Sequence, residues 1–214
     1  MGGGLVPVLT SIRRAAMFRS MLRFITDFGD AAYLLPAAAL VLGYLVYSKA
    51  RSSAVAWAVA FAACVGLTAL LKISFLTCGA KVGSLDIYSP SGHTSFATTF
   101  YLCVGLVTSR NKAPLLAVIV FAAAVCLAVA IAASRLLLDA HTPGEVAIGL
   151  LIGVGCVIWF ATQYYGVPQP GLPILPVLAL LVPLALFAHG HHLSRESWFN
   201  TAAAYIRAHL GICL

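Results

Sequence analysis

A chain of 214 residues that is 62% hydrophobic and only 9% charged cannot clothe a water-soluble domain, whose charged share is about 25%. A bilayer is the solvent this composition suits, and the length suits one domain. The net charge of +7 comes without a long basic run or aromatic–basic interleaving, which favours anionic lipid headgroups and phosphates as partners and argues against nucleic acid.

Residues 1–30 carry Arg13, Arg14, Arg19 and Arg23 interspersed with Ile12, Met17, Phe18, Leu22 and Phe24. This is the pattern of an amphipathic interfacial helix. No apolar core with a small-residue cleavage site follows, so a signal peptide is not expected, and Met17 or Met21 is an alternative start. Membrane spans are read from windows free of Asp, Glu, Lys and Arg, since a crossing helix needs about 20 mostly apolar residues. The windows are 31–48, 52–71, 94–109 and 113–134. The window 94–109 is short and is extended by tilt or by its flanks. After Glu145 no such charge occurs until Arg195. The breakers from Gly166 to Pro173 split that stretch into 146–165 and 172–188. The expected fold is all-α, a polytopic membrane helical bundle of about six helices over 31–190. An interfacial tail follows over 191–214, where Trp198, Tyr205 and Ile206 lie among Arg195, Glu196 and Arg207.

Ionisable groups beside spans are costly and therefore informative. They gather in two connections, 72–93 and 134–145. Two spans separate these connections, so both open on the same side of the membrane and can share a site. The first ends in Ser89-Pro90-Ser91-Gly92-His93 ahead of an apolar run. Free backbone N–H groups at such a helix start hold anions. Gly92 permits close approach of a phosphate oxygen, and the Ser91 hydroxyl can donate to it. The second holds Ser134-Arg135, then Asp139, His141, Thr142, Pro143 and Glu145. Arg135 offers a planar fork that matches phosphate, and Lys72 offers a point charge at the end of its helix.

Lys72, then Pro90-Ser91-Gly92-His93, then Ser134-Arg135 with His141 and a carboxylate four residues further on, resemble the three-part signature of the phosphatidic acid phosphatase type 2 superfamily. The likeness covers about a third of the chain. Two departures stand out. The family's first-block arginine and proline are replaced by Gly79 and Ala80, with Lys81 close enough to substitute for the charge. Glu145 stands where the family usually has aspartate. The resemblance implies that His141 attacks phosphorus, that Glu145 orients His141, and that His93 is the acid and then the base. It further implies that Lys72, Ser91, Gly92 and Arg135 bind phosphate, that no metal or other cofactor takes part, and that the substrate is a phosphorylated lipid. Phosphatidic acid, phosphatidylglycerophosphate, a polyprenyl pyrophosphate and a lipid A phosphate all fit. The alternatives are a lipid-to-lipid phosphotransferase and a catalytically silent lipid-binding or transport protein.

Plainer readings stay open beside these. Thr142-Pro143-Gly144-Glu145 matches a capping box, Ser91 can be an N-cap, and Arg135 and Lys72 can snorkel to headgroups. Asp139 is a solvated loop charge or a partner of Arg135. The six cysteines read as small packing residues. Gly149 and Gly153 form a small-xxx-small pattern that brings helices close. Tyr164 and Tyr165 read as interfacial anchors, and His189-Gly190-His191-His192 as a polar cap. The raw lysine and arginine count favours a cytoplasmic site, and the two ends nearly balance once the residues needed for chemistry and for the alternative start are discounted. Likeness to bacterial relatives places the multi-pass chain in a bacterial inner membrane with the site on the periplasmic side. The oligomeric state is not encoded.

Overall fold

The computed structural model describes residues 5–78, 80–82, 85–87, 89–166, 172–188 and 196–210. Among them run eight helices: α1 (Leu5–Asp27), α2 (Ala31–Tyr47), α3 (Arg51–Cys78), α4 (Gly92–Ser109), α5 (Pro114–Leu137), α6 (Pro143–Tyr165), α7 (Ile174–Ala188) and α8 (Glu196–Leu210). A small antiparallel hairpin joins α3 to α4. Its strands β1 (Ala80–Val82) and β2 (Leu85–Ile87) pair Lys81 with Asp86. The six helices read from charge-free windows are α2 to α7. Four stretches are long and apolar enough to cross a membrane by length and composition: Arg13–Tyr47, Arg51–Cys78, Pro114–Leu137 and Pro143–Tyr165. The bundle is all-α, as the composition demands.

Local chemistry sets the helix ends. Asp30 caps α2, accepting from the Ala32 amide at 2.6 Å. Ser91 caps α4, and proline opens α5 and α6, where its missing N–H costs nothing. One boundary differs from the sequence reading. The charge at Lys72 does not stop α3, which continues to Cys78, because the lysine projects into a cavity at the bundle end.

The bundle is built around α4, which packs against α2, α3, α5 and α6. Its buried Thr94, Ser95, Thr98, Thr99 and Thr108 explain why it is less apolar than its neighbours. Among apolar helices, polar groups must be satisfied internally. Ser95 Oγ lies 2.9 Å from Thr68 Oγ1 of α3, and Thr99 Oγ1 donates to the Ser95 carbonyl at 2.9 Å. Trp57 seals the middle, donating from Nε1 to the Ala38 carbonyl and meeting Phe100 and Phe160 edge-on. Outward, Leu115, Val118, Leu151, Leu175 and Leu186 are exposed, a surface suited to lipid tails rather than water.

Gly149 and Gly153 do what their spacing suggests. A Cβ on Gly149 would lie 2.7 Å from the Ser91 carbonyl, and one on Gly153 2.7 Å from Thr98 Cβ. Only glycine lets α6 ride this close on α4. The contact fixes the first turn of α6 against the start of α4, where the site lies.

Two expectations are corrected. Tyr164 is no interfacial anchor. It is buried and stacked on Phe160, and Arg110 lies over its ring while donating to its carbonyl at 2.7 Å. The aromatic pair together with a guanidinium is a better partner for that ring than headgroups are. Cys64, Cys103 and Cys156 are free and buried, as packing residues should be, and Cys126 is free and exposed. Cys78, however, is disulfide-bonded. It ends α3 outside the apolar run, so packing does not define its role.

Candidate active site

Helix ends bring the site together. The turn from α1 to α2, the end of α3, the start of α4, the end of α5 and the start of α6 all lie at one end of the bundle. Lys72, Gly92, His93, Arg135 and His141 line a single cavity of about 170 Å³ there. Residues from three separate stretches of sequence therefore face one space, as the two-connection topology requires. A second, wider cavity of about 620 Å³ shares Lys72 and His141 and is also lined by Asp139 and Glu145.

The arginine-to-histidine spacing has a backbone cause. Helix α5 ends in a Schellman motif, in which a left-handed residue lets late amides reach back to the last turn. Asp139 takes that residue's place at φ 54°. The Ala140 amide then donates to the Arg135 carbonyl at 3.0 Å, and the Asp139 amide to the Leu136 carbonyl at 3.0 Å. The His141 amide also reaches the Arg135 carbonyl, at 3.3 Å. The residue that offers the guanidinium thus holds His141 through its own carbonyl. Left-handed geometry costs a residue with a Cβ roughly 1–2 kcal/mol, less for Asp. Asp139→Gly is expected to raise thermal stability in detergent by up to about 1 kcal/mol with activity kept, whereas Asp139→Val lowers both. Thermal unfolding of the purified variants checks this.

Glu145 makes both sets of contacts that the sequence left open, to the helix start and to His141. As the third residue of a capping box it accepts from the Thr142 amide at 3.0 Å, while its own amide donates to Thr142 Oγ1. The same Oε2 lies 2.9 Å from His141 Nδ1, and Oε1 accepts from the Ser89 amide at 2.8 Å. With Nδ1 donating to the carboxylate, the lone pair of the His141 ring sits on Nε2. The extra methylene relative to aspartate is used: one carboxylate spans α6, the α5–α6 turn and the approach to α4. Burial holds the His141 imidazole below the ordinary histidine value of 6.5. The Glu145 hydrogen bond pulls it up, while Arg135 and Lys72 push it down. The ring is consequently neutral at physiological pH.

Arg135 Nη1 donates to Thr26 Oγ1 of α1 at 3.1 Å. Lys72 Nζ lies 5.2 Å from the centre of the Phe199 ring of α8. Ser91 is fully buried, its hydroxyl accepting from the Thr94 amide and hydroxyl, and its amide donating to the Glu145 carbonyl at 3.1 Å. The serine therefore shapes the start of α4, while Gly92 and His93 open the helix toward the cavity. The Lys81 side chain and His189, His191 and His192 lie outside the described residues.

Sequence reasoning missed the contribution of α1 and the turn after it. Asp30 Oδ2 lies 3.5 Å from His93 Nε2, and Thr26 braces Arg135. The only available signal was a carboxylate standing directly before an apolar run.

A bundle of apolar helices suited to a membrane carries a histidine–carboxylate pair, a second histidine, an arginine and a lysine around one cavity, a charge set that suits an anion. Residues 72–168 match the family model described as the PAP2 superfamily, a stretch that includes Lys72, Ser91, Gly92, His93, Arg135, His141 and Glu145. The chain is also similar to an "Uncharacterized 22.5 kDa protein in cps region" of Klebsiella pneumoniae, with 28% identity over 194 residues that cover 86% of this chain and 90% of the relative. No solved structure matches.

Proposed function

We propose that this chain is a multi-pass membrane phosphatase that removes phosphate or pyrophosphate from a lipid through a phosphohistidine at His141. The observation that carries the reading is the cavity shared by Lys72, Gly92, His93, Arg135 and His141, with Glu145 fixing the His141 tautomer. His141 Nε2 attacks phosphorus, and the bond to the leaving oxygen breaks as His93 gives that oxygen a proton. His93 then takes a proton from water, whose oxygen attacks phosphorus. The P–N bond breaks, inorganic phosphate leaves, and both imidazoles return to their starting states. Arg135, Lys72 and the Gly92 amide hold the equatorial oxygens while charge redistributes. Ser91 serves by setting the direction of those opening amides. The cations come from side chains, so the reaction needs no metal.

A lipid substrate is supported by the cavity's other walls. Val65, Ala69 and Phe96 adjoin the polar residues, so an acyl or prenyl chain can lie beside the phosphate without crossing water. The test is release of inorganic phosphate from a panel of lipid phosphates by purified protein in EDTA. Release by wild type and its absence in His141→Ala support the reading, and equal failure of both across the panel defeats it. Label passed to a second lipid instead of water would identify a phosphotransferase.

The site is further inferred to face the periplasm. Cys78 ends α3 on the site's side of the bundle and is disulfide-bonded, and such bonds persist in oxidising compartments. With intact cells, Ser84→Cys is expected to react with a membrane-impermeant maleimide while Ser109→Cys is protected. The reverse pattern would place the site in the cytoplasm.

A further inference from the structure

The sequence motifs give a carboxylate to only one of the two site histidines. The structure gives one to each. Asp30 stands in the turn between α1 and α2, outside the matched segment of residues 72–168, with Oδ2 3.5 Å from Nε2 of His93. The two side chains are 12% and 24% exposed, so little water competes for the contact. Asp30 is held on its other oxygen as well, since Oδ1 accepts from the Ala32 amide at 2.6 Å. The turn is pressed onto its neighbours at Gly29, where a Cβ would come within 2.6 Å of Ile131 Cγ2 and 3.4 Å of His93 Cβ. A carboxylate anchored on one side by a helix cap and on the other by an imidazole holds that imidazole in one orientation.

We propose that Asp30 is a positioning residue that anchors Nε2 of His93 and keeps the ring able to carry its acid proton. The inference rests on the phosphatase reading above. With Nε2 held by Asp30, Nδ1 is the nitrogen left to serve the leaving group. The Nδ1 proton passes to the ester oxygen as the P–O bond breaks, and Nε2–H stays on the carboxylate. In the second half Nδ1 takes a proton from the attacking water. Burial is the largest influence on the His93 ring and holds it below its ordinary value. The groups facing the ring are Asp30 from the α1–α2 turn, Arg135 from α5, His141 from the α5–α6 turn and Lys72 from α3, which lines the same cavity. Arg135 and a charged His141 both oppose a proton on His93. Asp30 is the member of this set that favours one.

The experiment compares full-length wild type with Asp30→Asn and Asp30→Ser on two substrates. One is phosphatidic acid in mixed micelles, whose alkoxide leaving group needs a proton. The other is p-nitrophenyl phosphate, whose leaving group does not. Asn and Ser cap helices as well as Asp does, so α2 and the fold are retained, and thermal unfolding checks this. Both variants are expected to slow the lipid reaction by about tenfold or more and the aryl reaction by much less. The alkaline limb of kcat/KM for the lipid is expected to move to lower pH. Equal losses on both substrates, or an alkaline limb that stays in place, would show a merely structural Asp30 and overturn the inference while the phosphatase reading stands. If wild type releases phosphate from neither substrate, both fall together.

Discussion

His141→Ala is expected to lower phosphate release by at least about a thousandfold, because on the proposed mechanism it removes the atom that forms the covalent bond rather than a group that assists it. His93→Ala should behave differently. Loss of a general acid costs about a hundredfold to ten-thousandfold on substrates whose leaving oxygen needs a proton, and far less on an aryl phosphate. The two histidines are therefore separable by leaving group, although they line the same 170 Å³ cavity. Steady-state phosphate release on an alkyl and an aryl substrate, with both variants side by side, makes the comparison.

Glu145→Gln carries the second large effect, and it acts on stability and rate together. The Ser89 amide, the Thr142 amide and His141 Nδ1 all donate to this carboxylate. An amide side chain puts its NH2 against one of them, leaving a buried donor unsatisfied at a cost of about 1–3 kcal/mol. It also releases the His141 tautomer, which lowers kcat by about a hundredfold to ten-thousandfold. The pH dependence gives the sign. In wild type, burial holds the His141 ring below its ordinary value while Glu145 partly restores it. The activity that depends on neutral His141 is present above that lowered value and is lost as pH falls through it. Removing the carboxylate removes the one influence favouring the imidazolium, so the acid limb of the residual activity is expected to move to lower pH. Measuring kcat/KM against pH for both proteins checks this, and a limb that moves up would contradict it.

Much of this arrangement is legible in the sequence because the physics is local. Charge-free windows recover α2 to α7, since a bilayer forbids charges inside spans. Thr142, Pro143 and Glu145 announce the start of α6 because capping is decided within four residues. The Arg135–His141 spacing is also visible, although its cause, the left-handed Asp139, is not. What stays hidden depends on long-range packing. The Thr26 hydroxyl meets Arg135 across 109 residues and the Ser89 amide meets Glu145 across 56, and neither pair has a signature. Asp30 reads as punctuation before an apolar run until the fold brings it beside His93. Tyr164 reads as an anchor because its neighbour Arg110 lies in another loop. The local contacts of Ser91 are equally hidden: its hydroxyl is buried and accepts from the Thr94 amide and hydroxyl.

The central claim is that phosphorus is transferred to His141 Nε2. The most direct measurement is a trap: His93→Ala is mixed with radiolabelled p-nitrophenyl phosphate in EDTA, quenched in alkali and digested. Without the base that activates water, the intermediate should accumulate as an acid-labile, alkali-stable label on the peptide that contains His141, and Glu145→Gln should reduce it. A label that persists in the His93→Ala, His141→Ala double variant, or none at all while phosphate is still released, would contradict the account.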